Sequence, residues 1–227
     1  MTGIGSVYGK GFIPTLYNAT AEALLDAIAV VGYSLGGNVA LKLAGDYGSD
    51  APPALRAVCA VSPTMDLARC VNALERPQNT FYEWNFVRNL KRRMRRKARA
   101  LPGRFDLDPL NSVQTVRGFD EAFTAPHHGF RDADDYYYRA SSLREIDRIN
   151  VPTLILSAED DPFVPIDQFR ERALLDNLNI KVVVTRYGGH CGYLAEATSG
   201  FDGYWAEQTT VEFATRHCFD RLGRQNR

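Results

Sequence analysis

Short apolar runs that each end in a polar turn alternate with helical stretches along this 227-residue chain. That alternation predicts an α/β architecture, a mostly parallel sheet flanked by helices. Two further observations shape the expectation. A glycine-rich turn, Gly32-Tyr33-Ser34-Leu35-Gly36-Gly37-Asn38, links an apolar run directly to a helix-forming segment. From Asp66 to about Leu143 the alternation stops, and an aromatic-rich helix, a basic run and mixed polar segments follow without another buried strand, as in a helical cap insertion. With 45% hydrophobic residues the chain can bury one core, so residues 1–227 read as one domain with an insertion at about 66–143.

The elements follow in order. Residues 1–16 are glycine-rich and aperiodic, and Asn18 to Asp26 has a capping residue and strong helix formers. The run Ala27 to Val31 is the first strand and Val39 to Ala44 opens the next helix. Gly48 to Pro53 is a loop, and Leu55 to Val61 is a buried parallel strand ending at Ser62-Pro63. Beyond the insertion, Val151 to Ser157 and Ile180 to Thr185 complete the sheet, with a helix expected near Asp167 to Leu178 between them. Trp205 to Phe219 closes the chain as a helix.

Charge is balanced, 27 Lys and Arg against 27 Asp and Glu, so no global field selects nucleic acid or an acidic partner. The four cysteines (Cys59, Cys70, Cys191, Cys218) form no C-x-x-C pair, which argues against a zinc or thioredoxin-like centre and for buried free thiols in a reducing cytoplasmic setting. No signal-peptide core and no run of about 20 apolar residues is present.

The turn after the first strand has the G-x-S-x-G form of a nucleophile elbow, centred on Ser34. A serine hydroxyl becomes a useful nucleophile when a turn exposes it, a base takes its proton and backbone N–H groups receive the developing charge. In an open α/β sheet such partners gather at the carboxyl ends of strands. The loop after Ser157 carries Glu159, Asp160 and Asp161, and the loop after Thr185 carries Gly188-Gly189-His190. The predicted acyl-transfer set is therefore Ser34 as nucleophile, His190 as base, and Asp161 as orienting acid, with Asp160 and Glu159 as competitors. Asp66, beyond another strand end, is a further acid candidate and otherwise a helix cap. Leu35 N–H, at the start of the elbow helix, is the expected oxyanion donor. Gly188, Gly189 and Gly192 are expected to give the histidine loop freedom to aim the ring. His127 and His128 read as lid or entrance residues, and His217 as a surface residue.

Taken together, the segments Gly32 to Asn38, Ser62 to Leu67, Gly118 to Pro126, His128-Gly129-Phe130, Asp134 to Tyr137 and the two loops resemble the YheT-like α/β hydrolases, which include the abhydrolase-domain lipid esterases. The resemblance spans roughly residues 17–215. It favours Asp161 as the acid through its Asp-Pro-Phe-Val-Pro loop. It also implies a cofactor-free and metal-free carboxylesterase-like serine hydrolase that acts on a small-molecule acyl ester in lipid metabolism. Only 33 residues precede Ser34, too few for two βα units at about 30 residues each. The expectation is a partial α/β-hydrolase fold, N-terminally truncated, without its first strands and without the His-Gly loop that supplies a second oxyanion donor. A rival reading is a non-catalytic remnant or interaction protein.

The basic run from Lys91 to Arg99 falls in a segment where Trp84, Val87, Leu90 and Met94 recur at helical spacing. It reads as a helix with one apolar face and one solvated cationic face, rather than as a nucleic-acid site. Weak attraction to a membrane surface or lipid headgroup stays open, and nothing in the motifs encodes an oligomeric state.

Overall fold

The computed structural model describes residues 26–219. In chain order the main elements are β1 (Ile28–Tyr33), α1 (Leu35–Tyr47), β2 (Leu55–Val61), α2 (Leu67–Leu74), α3 (Thr80–Ala100), α4 (Ala133–Ala140), β3 (Thr153–Ala158), β4 (Ile180–Thr185) and α5 (Trp205–Phe219). Among the described residues they form two compact units, one comprising residues 26–66 and 141–219, the other comprising Leu67–Ala140. The helix expected at Asn18 to Asp26 lies outside the described residues, apart from Asp26 itself.

The first unit holds a four-stranded sheet in the order β1-β2-β3-β4, parallel at every pairing. Parallel strands persist when both faces are covered, and the sequence meets that demand in the middle of the sheet. All six residues of β3 are buried, as are six of the seven in β2. Cys59, Val61, Leu154, Leu156 and Ala158 cluster with Tyr193 and with Ala206 of α5. Because side chains alternate across a strand, the equally buried Val58, Ala60 and Ile155 project to the other face, the side available to α1. That helix is held to the segment after Ser141 by buried polar contacts. Asn38 Oδ1 accepts from Ser142 N–H at 2.8 Å, and Lys42 Nζ, paired within the helix to Asp46 at 2.8 Å, also reaches Glu145 at 3.4 Å.

Sequence periodicity misplaces one element. The expected helix near Asp167 to Leu178 is two short pieces, a 3₁₀ turn at Ile166–Arg170 and one α-turn at Arg172–Leu175. Glu171 between them is extended (φ −64°, ψ 134°), which breaks the helical hydrogen-bond ladder.

The second unit is helical. Val87 and Met94 of α3 pack with Leu110, Val113, Phe119 and Phe123, while Leu90 is partly buried against them. Trp84, expected on this face, is 54% exposed, so the apolar stripe begins one turn later. A second cluster forms around Asp120, which accepts from Thr124 Oγ1 at 2.6 Å and Tyr137 Oη at 2.7 Å. Burial pushes the Asp120 carboxyl above its ordinary range.

Candidate active site

All four parallel strands deliver a loop at their carboxyl ends, and the ladder runs one step past them. Ser34 N–H donates to Val61 O (2.8 Å), Ser62 N–H to Leu156 O (2.8 Å) and Glu159 N–H to Thr185 O (2.9 Å). The loops are thereby fixed to one another before any side chain takes part.

Ser34 sits between β1 and α1 with φ 54° and ψ −123°, a conformation that L-residues seldom adopt. Such a residue costs about 1–3 kcal/mol and persists only when its surroundings over-determine it. The flanking glycines supply part of that constraint. A Cβ on Gly32 would lie 2.1 Å from Gly36 O, and one on Gly37 would lie 2.9 Å from Pro63 Cβ, whereas one on Gly36 meets nothing. Only the first glycine of the G-x-S-x-G pattern is sterically required here, and the second required position is Gly37. Leu35 N–H, the predicted oxyanion donor, opens α1 in the first turn, where backbone N–H groups lack intrahelical acceptors.

Asp161 follows β3, and its carboxylate is fully enclosed. Oδ1 accepts from Phe163 N–H (3.1 Å) and Val164 N–H (3.0 Å), which leaves Oδ2 for His190 Nδ1 at 2.8 Å. Asp160 and Glu159 are exposed, and Asp160 Oδ1 instead accepts from Gly189 N–H at 2.8 Å, which anchors the histidine loop. Asp66 N–H donates to Gln168 Oε1 at 3.0 Å.

His190 Nε2 lies 2.8 Å from Ser34 Oγ, so hydroxyl, imidazole and carboxylate form one continuous chain. Burial of the ring opposes its cation, but the Asp161 carboxylate and the Cys191 side chain outweigh that effect and raise the imidazole to about 9. The ring of Phe163 packs on it with centroids 4.2 Å apart. Chemically, such a chain can move a proton from the hydroxyl onto Nε2 while the carboxylate holds Nδ1–H.

Two glycines of the histidine loop, Gly188 and Gly192, serve close packing, while Gly189, at φ 52° with open space around a Cβ, has the conformational role expected of it. Gly188 O accepts from both Gly192 N–H (2.9 Å) and Tyr193 N–H (3.2 Å), and a Cβ at Gly188 would strike the Tyr193 ring at 2.7 Å. Left-handed φ values fall on Cys191 (68°) and Tyr193 (41°) as well as on Gly189.

A buried brace escaped sequence reasoning. Tyr193 Oη and Ser62 Oγ are 2.8 Å apart, and Ser62, at φ 44°, follows β2 as Ser34 follows β1. The brace joins the histidine loop, which follows β4, to the end of β2, two strands away in the sheet. Its one linear signal is the serine just past a buried strand. Elsewhere, His127 stacks on Phe105 (4.6 Å) within the helical unit, and His217 is half-buried against Phe213 (4.4 Å) rather than on the surface. All four cysteines are free, with Cys59 and Cys70 buried.

Residues 17–197 match the family model for the alpha/beta hydrolase fold, and the chain belongs to that family. It is 34% identical over 191 residues to YheT of Escherichia coli (strain K12), a protein named as an esterase, covering 83% of this chain and 55% of that protein. It is 32% identical over 180 residues to the phospholipase ABHD3 of Mus musculus, covering 79% of this chain and 42% of that one. The chain thus spans about half the length of the curated relatives it matches. Among solved structures, a puromycin-hydrolyzing peptidase of Mycobacterium tuberculosis aligns over 91% of this chain and 25% of its own, at TM-score 0.55 and 17% identity, a likeness of fold. Among the described residues, no helix is long and apolar enough to cross a membrane.

Proposed function

We propose that the chain is a serine hydrolase of carboxylic esters, with Ser34 as nucleophile, His190 as general base and then acid, Asp161 as the orienting carboxylate and Leu35 N–H as one oxyanion donor. The observation that carries this reading is the unbroken Ser34–His190–Asp161 chain, with both links at 2.8 Å, at the carboxyl ends of parallel strands. Ser34 Oγ would attack the ester carbonyl carbon as its proton passes to His190 Nε2. The tetrahedral oxyanion would form beside Leu35 N–H and collapse as Nε2 returns the proton to the leaving alkoxide. Water would then repeat the sequence on the acyl-serine.

Esterase and phospholipase names among the relatives support acyl or lipid-like esters as substrates and a place in lipid metabolism. The same reading treats residues 1–227 as one hydrolase domain interrupted at about 66–143, and four free thiols fit a reducing cytoplasm. A fluorophosphonate probe should label wild type and not Ser34→Ala, and His190→Ala should lose turnover of medium-chain p-nitrophenyl esters. Absence of labelling in folded wild-type protein would replace this reading with a non-catalytic interaction protein.

A further inference from the structure

Helix α3 has more charge and more exposed aromatic surface than its own packing uses. Its 21 residues span about 31 Å at 1.5 Å per residue. Val87, Leu90 and Met94 turn inward to the core of the helical unit. On another face, Phe81, Trp84, Arg88, Arg92, Arg95 and Arg99 recur at three- and four-residue steps. Phe81 is 73% and Trp84 54% exposed, and their rings stack with centroids 6.1 Å apart. Arg88 lies over the Trp84 ring at 5.4 Å.

The only acid on the helix is Glu83. Its Oε1 is occupied by Val116 N–H, and burial raises its carboxyl above the ordinary range. Among the described residues, none of Arg92, Arg95, Arg96 and Arg99 pairs with a carboxylate. Trp84, Val87 and Val113 form the apolar wall of a groove of about 480 Å³ that Arg88, Lys91 and Arg95 line with positive charge.

Aromatic side chains exposed beside unpaired cations are what an anionic lipid–water interface receives. The rings enter the headgroup layer, and the guanidinium groups meet phosphate while their stems cover apolar surface. A helix made only for solvation has no use for an exposed Phe81–Trp84 stack. We infer that this face of α3 docks the protein on the surface of an anionic bilayer, with Phe81 and Trp84 inserted and Arg88, Arg92 and Arg95 on lipid phosphate. The inference is independent of the role given to Ser34, because it concerns binding alone.

The test is cosedimentation of the full chain with phosphatidylcholine vesicles, with and without about 30% phosphatidylglycerol, at low salt. At least about tenfold stronger partitioning onto the anionic vesicles is expected, falling steeply toward about 0.5 M salt, with a blue shift of tryptophan emission that Trp84→Phe abolishes. Arg88→Gln/Arg92→Gln/Arg95→Gln should lose the anionic preference, and Phe81→Ser should weaken binding, with circular dichroism unchanged in each. Equal binding to neutral vesicles, unchanged binding by the triple variant, no binding at low salt, or tighter binding to a single-stranded or duplex oligonucleotide than to the vesicles would each overturn the inference.

Discussion

Replacing Asp161 by Asn tests the proposed chemistry with little change in shape. The Asp161 side chain is fully enclosed, with two backbone N–H donors on Oδ1 and His190 Nδ1 on Oδ2. An amide at this position keeps its oxygen toward Phe163 and Val164 N–H, because turning over would bring its NH₂ against those donors. The NH₂ then faces Nδ1 at about the same 2.8 Å and needs a lone pair there. That forces the imidazole into the tautomer protonated on Nε2, whose N–H points at Ser34 Oγ and cannot take its proton. The wrong tautomer costs about 10⁴ in kcat, or about 5.4 kcal/mol at about 1.36 kcal/mol per tenfold. Steady-state p-nitrophenyl ester kinetics would measure this, with fluorophosphonate labelling slowed in parallel and the far-UV spectrum unchanged. A well-folded Asp161→Asn protein that keeps more than about a tenth of wild-type kcat would refute the role of Asp161 and the tautomer argument with it.

Four other expectations follow from the site and its surroundings. With His190 raised to about 9, the neutral base is scarce at pH 7, so kcat/KM should climb about tenfold per pH unit and level off near pH 9. Since the folded imidazole is raised from about 6.5, its ion pair stabilises the fold fully below pH 6.5 and is lost as pH rises through about 9, on the order of 3 kcal/mol in urea unfolding. Gly32→Ala should destabilise by about 3 kcal/mol or prevent folding, because its methyl would meet Gly36 O, while Gly36→Ala, with open space around it, should gain about 0.5–1 kcal/mol by thermal unfolding. Tyr193→Phe removes a buried hydroxyl from Ser62, and should cost about 1–3 kcal/mol of stability, with a double-mutant cycle against Ser62→Ala recovering most of it.

What was legible in one dimension was whatever depends on local pattern. β2 and β4 begin and end where the apolar-rich runs Leu55 to Val61 and Ile180 to Thr185 do, each interrupted by a single basic residue near its start, and α5 spans Trp205–Phe219 as its composition requires. The α/β architecture and the family could be read because parallel strands are predominantly apolar segments, and because a strand, a glycine turn and a helix are contiguous around Ser34. Glu171 carries no breaker signature, so the split of the 166–175 segment was invisible. Exposure of Trp84 could not be read either, since helical spacing names a face without saying where its partner core ends.

By itself the sequence determined which residues stand directly after strands, and therefore that Ser34, Asp161 and His190 are brought to one edge of the sheet. Tertiary structure alone decided what Asp160 does instead of meeting the imidazole, accepting from Gly189 N–H, that Gly37 rather than Gly36 is the second indispensable glycine, and that Ser62 and Tyr193 brace the histidine loop. The reason is physical: neighbours such as Asp160 and Asp161 differ only in direction, and direction is set by hydrogen bonds to residues that lie far away along the chain.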